Sequence, residues 1–123
     1  HLRINRDMLG TKHRQESLFA WCLDHGQSCV IDNTNSTREV RGFWIAGARK
    51  YGVELTAYFF QSRIADCLER NRCRSGRARI PDAGVLGHHS MLELPSRDEG
   101  FATLYHVALA EDGFTVTPWS NEI

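Results

Sequence analysis

The chain has 123 residues, 41% of them apolar and 24% charged, the composition of one ordinary globular domain. No apolar run approaches the roughly 20 residues that a membrane helix needs, and the basic start is not followed by the apolar stretch of a signal peptide. The net charge of zero hides a split: residues 1–79 carry fourteen Arg and Lys against eight Asp and Glu, whereas residues 80–123 carry Arg97 alone against seven acids.

In chain order, Leu2–Asn5 reads as a strand and gives way to Arg6, Asp7 and a glycine turn. Gln15–His25 reads as a helix, with Leu18, Phe19, Cys22 and Leu23 forming one apolar stripe and Gly26 as its stop. Ser28–Thr34 follows as a second strand, a continuous apolar run of the kind buried on both faces of a parallel sheet. Ser36 and Glu39 have the S-x-x-E spacing of a capping box and open a helix to about Lys50, with Val40, Phe43, Trp44 and Ala48 facing inward.

Glu54–Phe60 is a third strand, and a helix runs from Ile64 to about Arg74 with Ile64, Cys67 and Leu68 on its apolar side. Pro81 and Asp82 begin a further helix that Gly84 and Gly87 weaken. "TLYHVAL" and "FTVTPW" are late strands joined by a hairpin turn at "AEDG". Alternating strands and helices predict an α/β domain with a mainly parallel sheet.

Four cysteines, Cys22, Cys29, Cys67 and Cys73, include no C-x-x-C pair, which predicts free thiols in a reducing, intracellular compartment. Cys67, Cys73, His88 and His89 have a spacing that fits no usual zinc finger.

Two predicted strands end in acids, Asp7 and Asp32. In a parallel sheet both lie on the carboxyl edge, where open α/β folds bind ligands. A carboxylate there can take a proton from a hydroxyl or hold a metal ion, or it can simply cap a turn. Thirteen of the fifteen cations are arginine, the side chain that forms bidentate bonds with phosphate. Arg6 flanks Asp7, Arg14 lies a short turn on, and Arg70, Arg72, Arg74, Arg77 and Arg79 form a cluster with no acid among them. Arg70 and Arg74, four apart, are expected on one helical face, suited either to a lid closing on phosphates or to a solvated helix end.

With "NRD", "VIDNTN" and "CLERNRCR" in this order, and a closing "EGF", residues 2–101 resemble the kinase domain of polynucleotide 5′-hydroxyl kinases, in particular the kinase half of the bifunctional polynucleotide kinase 3′-phosphatases. The resemblance implies a P-loop-kinase-like parallel sheet with flanking helices, incomplete at its N-terminus. Residues 1–123 would then form a single partial domain with a lid at about 63–80.

It also implies ATP-dependent phosphorylation of nucleic acid 5′-hydroxyl ends, of the repair type, with ATP and Mg²⁺ as cofactors. The partners implied are a nucleic acid end, ATP and a phosphatase domain or N-terminal segment elsewhere in the parent protein. Asp7 would be the general base, while Arg6 and Arg14 would hold the acceptor strand. Asp32 would orient arginines or contribute indirectly to the metal shell, with Thr34 and Asn35 beside it. Arg70 would reach the nucleotide, and Arg74 would stabilise charge on the transferred phosphoryl group.

The family carries a G-x-x-x-x-G-K-[ST] loop upstream of "NRD", yet none of the ten glycines in this sequence is followed by Lys-Ser or Lys-Thr. The abrupt start within a motif predicts a fragment or a truncated product that transfers no phosphate alone. Omission of a central strand leaves two strand edges unpaired, so the isolated chain is expected to rearrange, pair with another copy or be poorly stable. Two other readings stay open: a nucleic-acid-binding or interaction module that has lost nucleotide binding, supported by the basic first 79 residues, and a small-molecule kinase or ATPase of the same superfamily.

Overall fold

The computed structural model describes residues 1–61, 64–76 and 79–120. In chain order these form β1 (Leu2–Ile4), α1 (Arg6–Leu9), α2 (Lys12–His25), β2 (Cys29–Ile31), α3 (Arg38–Lys50), β3 (Thr56–Phe60), α4 (Ile64–Arg72), α5 (Asp82–Met91), a 3₁₀ turn (Arg97–Glu99), β4 (Thr103–Ala110) and β5 (Gly113–Pro118). The strands make two sheets: β1 pairs with β2 in parallel, while β3 pairs in parallel with β4, which pairs antiparallel with β5 through the predicted hairpin.

Each sheet has its own apolar centre. Ile4, Phe19, Cys22 and Trp44 are buried together, with Leu18, Leu23, Cys29 and Ile31 packed against them. The stripe read on α2 is therefore the face that meets the first sheet. On the second sheet Leu104, Val107 and Trp119 are buried, and the Phe59 ring meets Trp119 edge-on at 5.4 Å between centroids.

Backbone bonding shows that each sheet keeps one open edge. Leu2 N donates to Ser28 O and Asp32 N to Ile4 O, both at 2.9 Å. Alternation along a parallel ladder then turns the N–H and C=O of Val30 toward β1 and those of Cys29 and Ile31 away from it. Gln61 N donates to Val107 O at 2.7 Å, so Ala57 and Phe59 bond toward β4, while Thr56, Tyr58 and Phe60 present their backbone groups to the opposite side. Between these two open edges lies a cleft of about 2380 Å³ lined by β2 and β3. Hence β2 is not buried on both faces as its apolar run predicts: Val30 is 49% exposed and, on β3, Phe60 is 58% exposed.

Three local expectations are corrected. The N-cap of α3 is Thr37, whose hydroxyl accepts from Val40 N at 3.2 Å; Ser36 and Glu39 form no capping box. Starting one residue later, α3 buries Arg41, Trp44, Ile45 and Ala48 and leaves Val40 and Phe43 exposed. A capping box of the same S-x-x-E spacing forms instead at Ser96 and Glu99. Finally, α4 ends at Arg72, so Arg74 does not share a helical face with Arg70. Cys73 N is divided between Glu69 O and Arg70 O at 3.2 Å each, and Arg74 N reaches Asn71 O at 3.1 Å, a tightening of the last turn that leaves Arg74 beyond the helix. The side chains of Ile64 and Cys67, and residues 62–63 and 77–78 of the expected lid, lie outside the described residues.

Candidate active site

The first wall of the cleft is built where β1 stops. Asn5, extended at φ −139°, caps α1 by accepting Met8 N on its side chain at 2.9 Å, which places Asp7 in the first turn of α1. A carboxylate is favoured at a helix start, and Asp7 stays exposed there. Asn5 also reaches across to β2, donating Nδ2 to the carbonyl of Asp32 at 2.5 Å.

The second wall is the 32–35 turn that follows β2. Asn33 accepts Arg6 N on Oδ1 at 2.9 Å and donates Nδ2 to the buried Gln15 at 3.0 Å. The backbone beside Asp7 is thereby tied to the turn that carries Asp32, Thr34 and Asn35. The Asp32 carboxylate accepts Arg3 Nε at 2.8 Å, a pair more than half exposed on both sides.

The third wall comes from the end of α4. Asn71 is 1% exposed, donates Nδ2 to Ile80 O at 2.5 Å and accepts Ile80 N at 2.9 Å. This two-way bond ties Ile80 to the end of α4, and Arg70 and Arg74, both exposed, line the cleft from the same end.

The structure thus brings Arg6, Asp7, Asp32, Arg70 and Arg74 onto one cleft, along with Thr34 and Asn35. Among the described residues Asp7 and Arg74 have no ion-pair partner, which leaves both charges for a ligand. Arg14 is not itself among the lining residues: it occupies the first turn of α2, folds back to donate Nη1 to Leu9 O at 3.2 Å, and lies beside Gly10 at the rim of the cleft.

The arrangement has two carboxylates and three guanidinium groups around solvent, suited to an anionic, multiply charged ligand. Mg²⁺ ordinarily takes one or two protein carboxylates plus phosphate oxygens, and on this cleft the Asp32 carboxylate, half-exposed beside Arg3, is a donor of that type. No group of three or more His, Cys, Asp or Glu among the described residues makes a self-sufficient metal site, and the side chains of Cys67, His88 and His89 lie outside those residues.

Residues 4–95 match the model of the AAA domain family, three quarters of the chain. The chain belongs to that family. Its fold is accordingly the P-loop-kinase-like α/β class that the sequence resemblance implied. The bifunctional polynucleotide phosphatase/kinase of Schizosaccharomyces pombe is 29% identical over 108 residues, covering 85% of this chain and 26% of that protein. This AAA-family domain thus spans about a quarter of the length of its fission-yeast relative.

Sequence reasoning passed over Arg3 and Arg41, and it quoted Asn5, Asn33, Asn71 and Glu99 within motifs without giving them roles. The asparagine of "NRD" carried a readable signal, since Asn three residues before a helical N–H is a preferred cap. Asn71 stood inside the quoted "CLERNRCR" without a role assigned, and Arg41 carried no signal, because polar side chains are expected on the surface until their partners are known.

Among the described residues no helix is long and apolar enough to cross a membrane.

Proposed function

We propose that this domain supplies the acceptor site and lid of an ATP-dependent kinase acting on nucleic acid 5′-hydroxyl ends, with the lid at about residues 63–80. The observation that carries the reading is that Arg6, Asp7 and Asp32, just beyond the carboxyl ends of β1 and β2, line the same cleft as Arg70 and Arg74 at the end of α4. The relative named a polynucleotide phosphatase/kinase supports the choice of acceptor.

In this reading Asp7 accepts the proton of the 5′-hydroxyl as the hydroxyl oxygen attacks the terminal phosphoryl group of ATP, whose bond to the bridging oxygen breaks and releases ADP. Arg6 orients the acceptor strand from the same turn, and Arg14 meets it further from the reacting atoms. Arg70 binds the nucleotide phosphates, and Arg74 neutralises charge that builds on the transferred group. Thr34 and Asn35 hold the floor of the acceptor site. Asp32 orients arginines, as it does Arg3, or would contribute indirectly to the shell of Mg²⁺, which would offset charge on phosphate oxygens when bound. Alignment of hydroxyl and phosphoryl group supplies most of the acceleration, since this chemistry needs placement more than covalent help.

The test is transfer of labelled phosphate from ATP to a 5′-hydroxyl oligonucleotide by a polypeptide carrying a G-x-x-x-x-G-K-[ST] loop ahead of residue 1. Asp7→Asn is expected to lower transfer by about 10²–10⁴-fold, the usual contribution of a positioned acid–base group. ATP hydrolysis without labelling of the oligonucleotide, or full transfer by the Asp7→Asn protein, overturns the acceptor assignment.

A further inference from the structure

Arg41 is an anomaly on α3, since it is one of the few charged groups that the fold buries, at 8% exposure. Its guanidinium donates Nε and Nη2 to the two carboxylate oxygens of Glu99, at 2.9 and 3.3 Å, with both side chains below one-tenth exposed. Glu99 Oε2 also accepts Ser96 N at 2.8 Å, closing the capping box of the 3₁₀ turn. The charge pair is therefore bidentate, and the third guanidinium nitrogen of Arg41, Nη1, remains for another purpose. Nη1 points at the carbonyl oxygen of Asn35, 2.9 Å away.

Asn35 is the second anomaly. Its φ of 43° makes it the only non-glycine residue in the left-handed region among the described residues. Such backbone persists only where its surroundings over-determine it, and such residues gather at functional sites. Here the surroundings are Arg41 on the carbonyl and Trp44 Nε1 on the side-chain oxygen, 3.1 Å away. One turn of α3 thus grips both polar ends of Asn35, and Glu99 fixes the gripping arm.

We propose that Arg41, held by Glu99, is a positioning residue that locks the 32–35 turn in its left-handed form. The lock reaches the reacting groups through Asn33, which receives Arg6 N, and through Asp32, whose carbonyl receives Asn5 Nδ2. Arg41 also lines the cleft, but its guanidinium is engaged by Glu99 and Asn35, so both residues act through the turn that aligns Arg6 and Asp7. The functional part of the inference rests on the kinase reading, whereas the locked turn does not.

The two possibilities for a buried ion pair separate experimentally. An isosteric apolar replacement commonly leaves stability near its original value, so Arg41→Met with Glu99→Leu removes the lock while keeping the packing. The expected result is a melting curve close to that of the unmodified chain. Hydrogen exchange at the Trp44 indole N–H should accelerate by roughly tenfold or more as the turn opens, with displaced backbone resonances at Asn33, Asn35 and Arg6. Arg41→Lys, which keeps a donor but loses the fork, should fall between the two. In the phosphate-transfer assay the same double variant should lower kcat more than it raises KM for the oligonucleotide.

Unchanged indole exchange and unchanged Asn35 resonances in the double variant overturn the proposal. Should that variant fail to fold, Arg41→Lys decides on the same two signals: wild-type values there refute the lock, and intermediate values support it. Displaced turn resonances in a domain whose parent never labels an oligonucleotide would leave the lock standing and refute the kinase reading instead.

Discussion

Gly42 and Gly47 lie in the same helix, α3, and meet opposite surroundings. In a helix interior, alanine is favoured over glycine by about 0.5–1 kcal/mol because glycine loses more backbone freedom on folding. A Cβ at Gly42 meets no heavy atom within 4 Å, so Gly42→Ala should stabilise the chain by about that amount. A Cβ at Gly47 lands 2.7 Å from Phe19 Cε2, 3.2 Å from Cζ and 3.5 Å from Leu23 Cδ1. Phe19 cannot withdraw, being 5% exposed and wedged edge-on against Trp44 at 4.9 Å between centroids.

Forcing one extra carbon into packed surroundings typically costs about 1–3 kcal/mol. That exceeds the propensity gain, and Gly47→Ala should lose about 0.5–2 kcal/mol net. The difference between the two variants cancels propensity and isolates the steric cost, about 1–3 kcal/mol. Urea denaturation followed by tryptophan fluorescence measures it, with Trp44 reporting from the contact itself. Phe19→Leu in the Gly47→Ala background should recover part of the loss, a non-additivity expected of touching residues. A Gly47→Ala protein as stable as the Gly42→Ala protein would refute the packing argument.

Other outcomes follow from single groups. Burial first, and then the neighbouring Cys22 thiol, push the Cys29 thiol up to about 11, so iodoacetamide at pH 8 should modify the exposed Cys73 well before Cys29, as peptide mass mapping would show. Tyr51 is likewise raised, by its hydrogen bond to Asp24. Both groups favour the protonated form in the folded chain, so their contributions are complete below their unfolded pKa values and fade above pH 9 as the folded values are passed; a urea midpoint that rises between pH 9 and 11 would contradict this. Asn71→Ala strands the N–H and C=O of Ile80, at about 1–3 kcal/mol for each buried group left unpaired, and should speed tryptic cleavage at Arg74 and Arg79 relative to sites in α2.

The helical half of the fold is legible wherever a local signal is also the physical cause. Gly26 ends α2 because its φ of 64° suits glycine, and the apolar stripe of α2 faces the core because apolar area drives the packing. The S-x-x-E spacing is a weaker guide, since it occurs at Ser36 and Ser96 alike. At the first of these an adjacent hydroxyl, Thr37, takes the cap and the box never closes. The carboxylates at strand ends are readable because parallel strands bring like ends together. The Arg3–Asp32 pair is not, because it depends on the register that sets Ile4 opposite Ile31. Arg41 and Glu99 are 58 residues apart, and nothing local to either says that the two charges will be buried against each other.

The cleft between β2 and β3 bears on cooperativity. Ladder bonding normally spreads an opening event across a whole sheet, so that α/β domains of this size lose structure as one unit. Here the ladder is interrupted, and the apolar centre around Ile4 and Phe19 is separate from that around Leu104 and Trp119. What joins the two halves is the covalent chain with a few lateral ties, among them Arg41–Glu99 and the bond from Glu93 N to Ser36 O at 2.7 Å. Ties of that kind transmit little of the free energy of opening, so residues 1–123 by themselves are expected to open as two neighbouring foldons, with separate hydrogen-exchange rates in the two sheets.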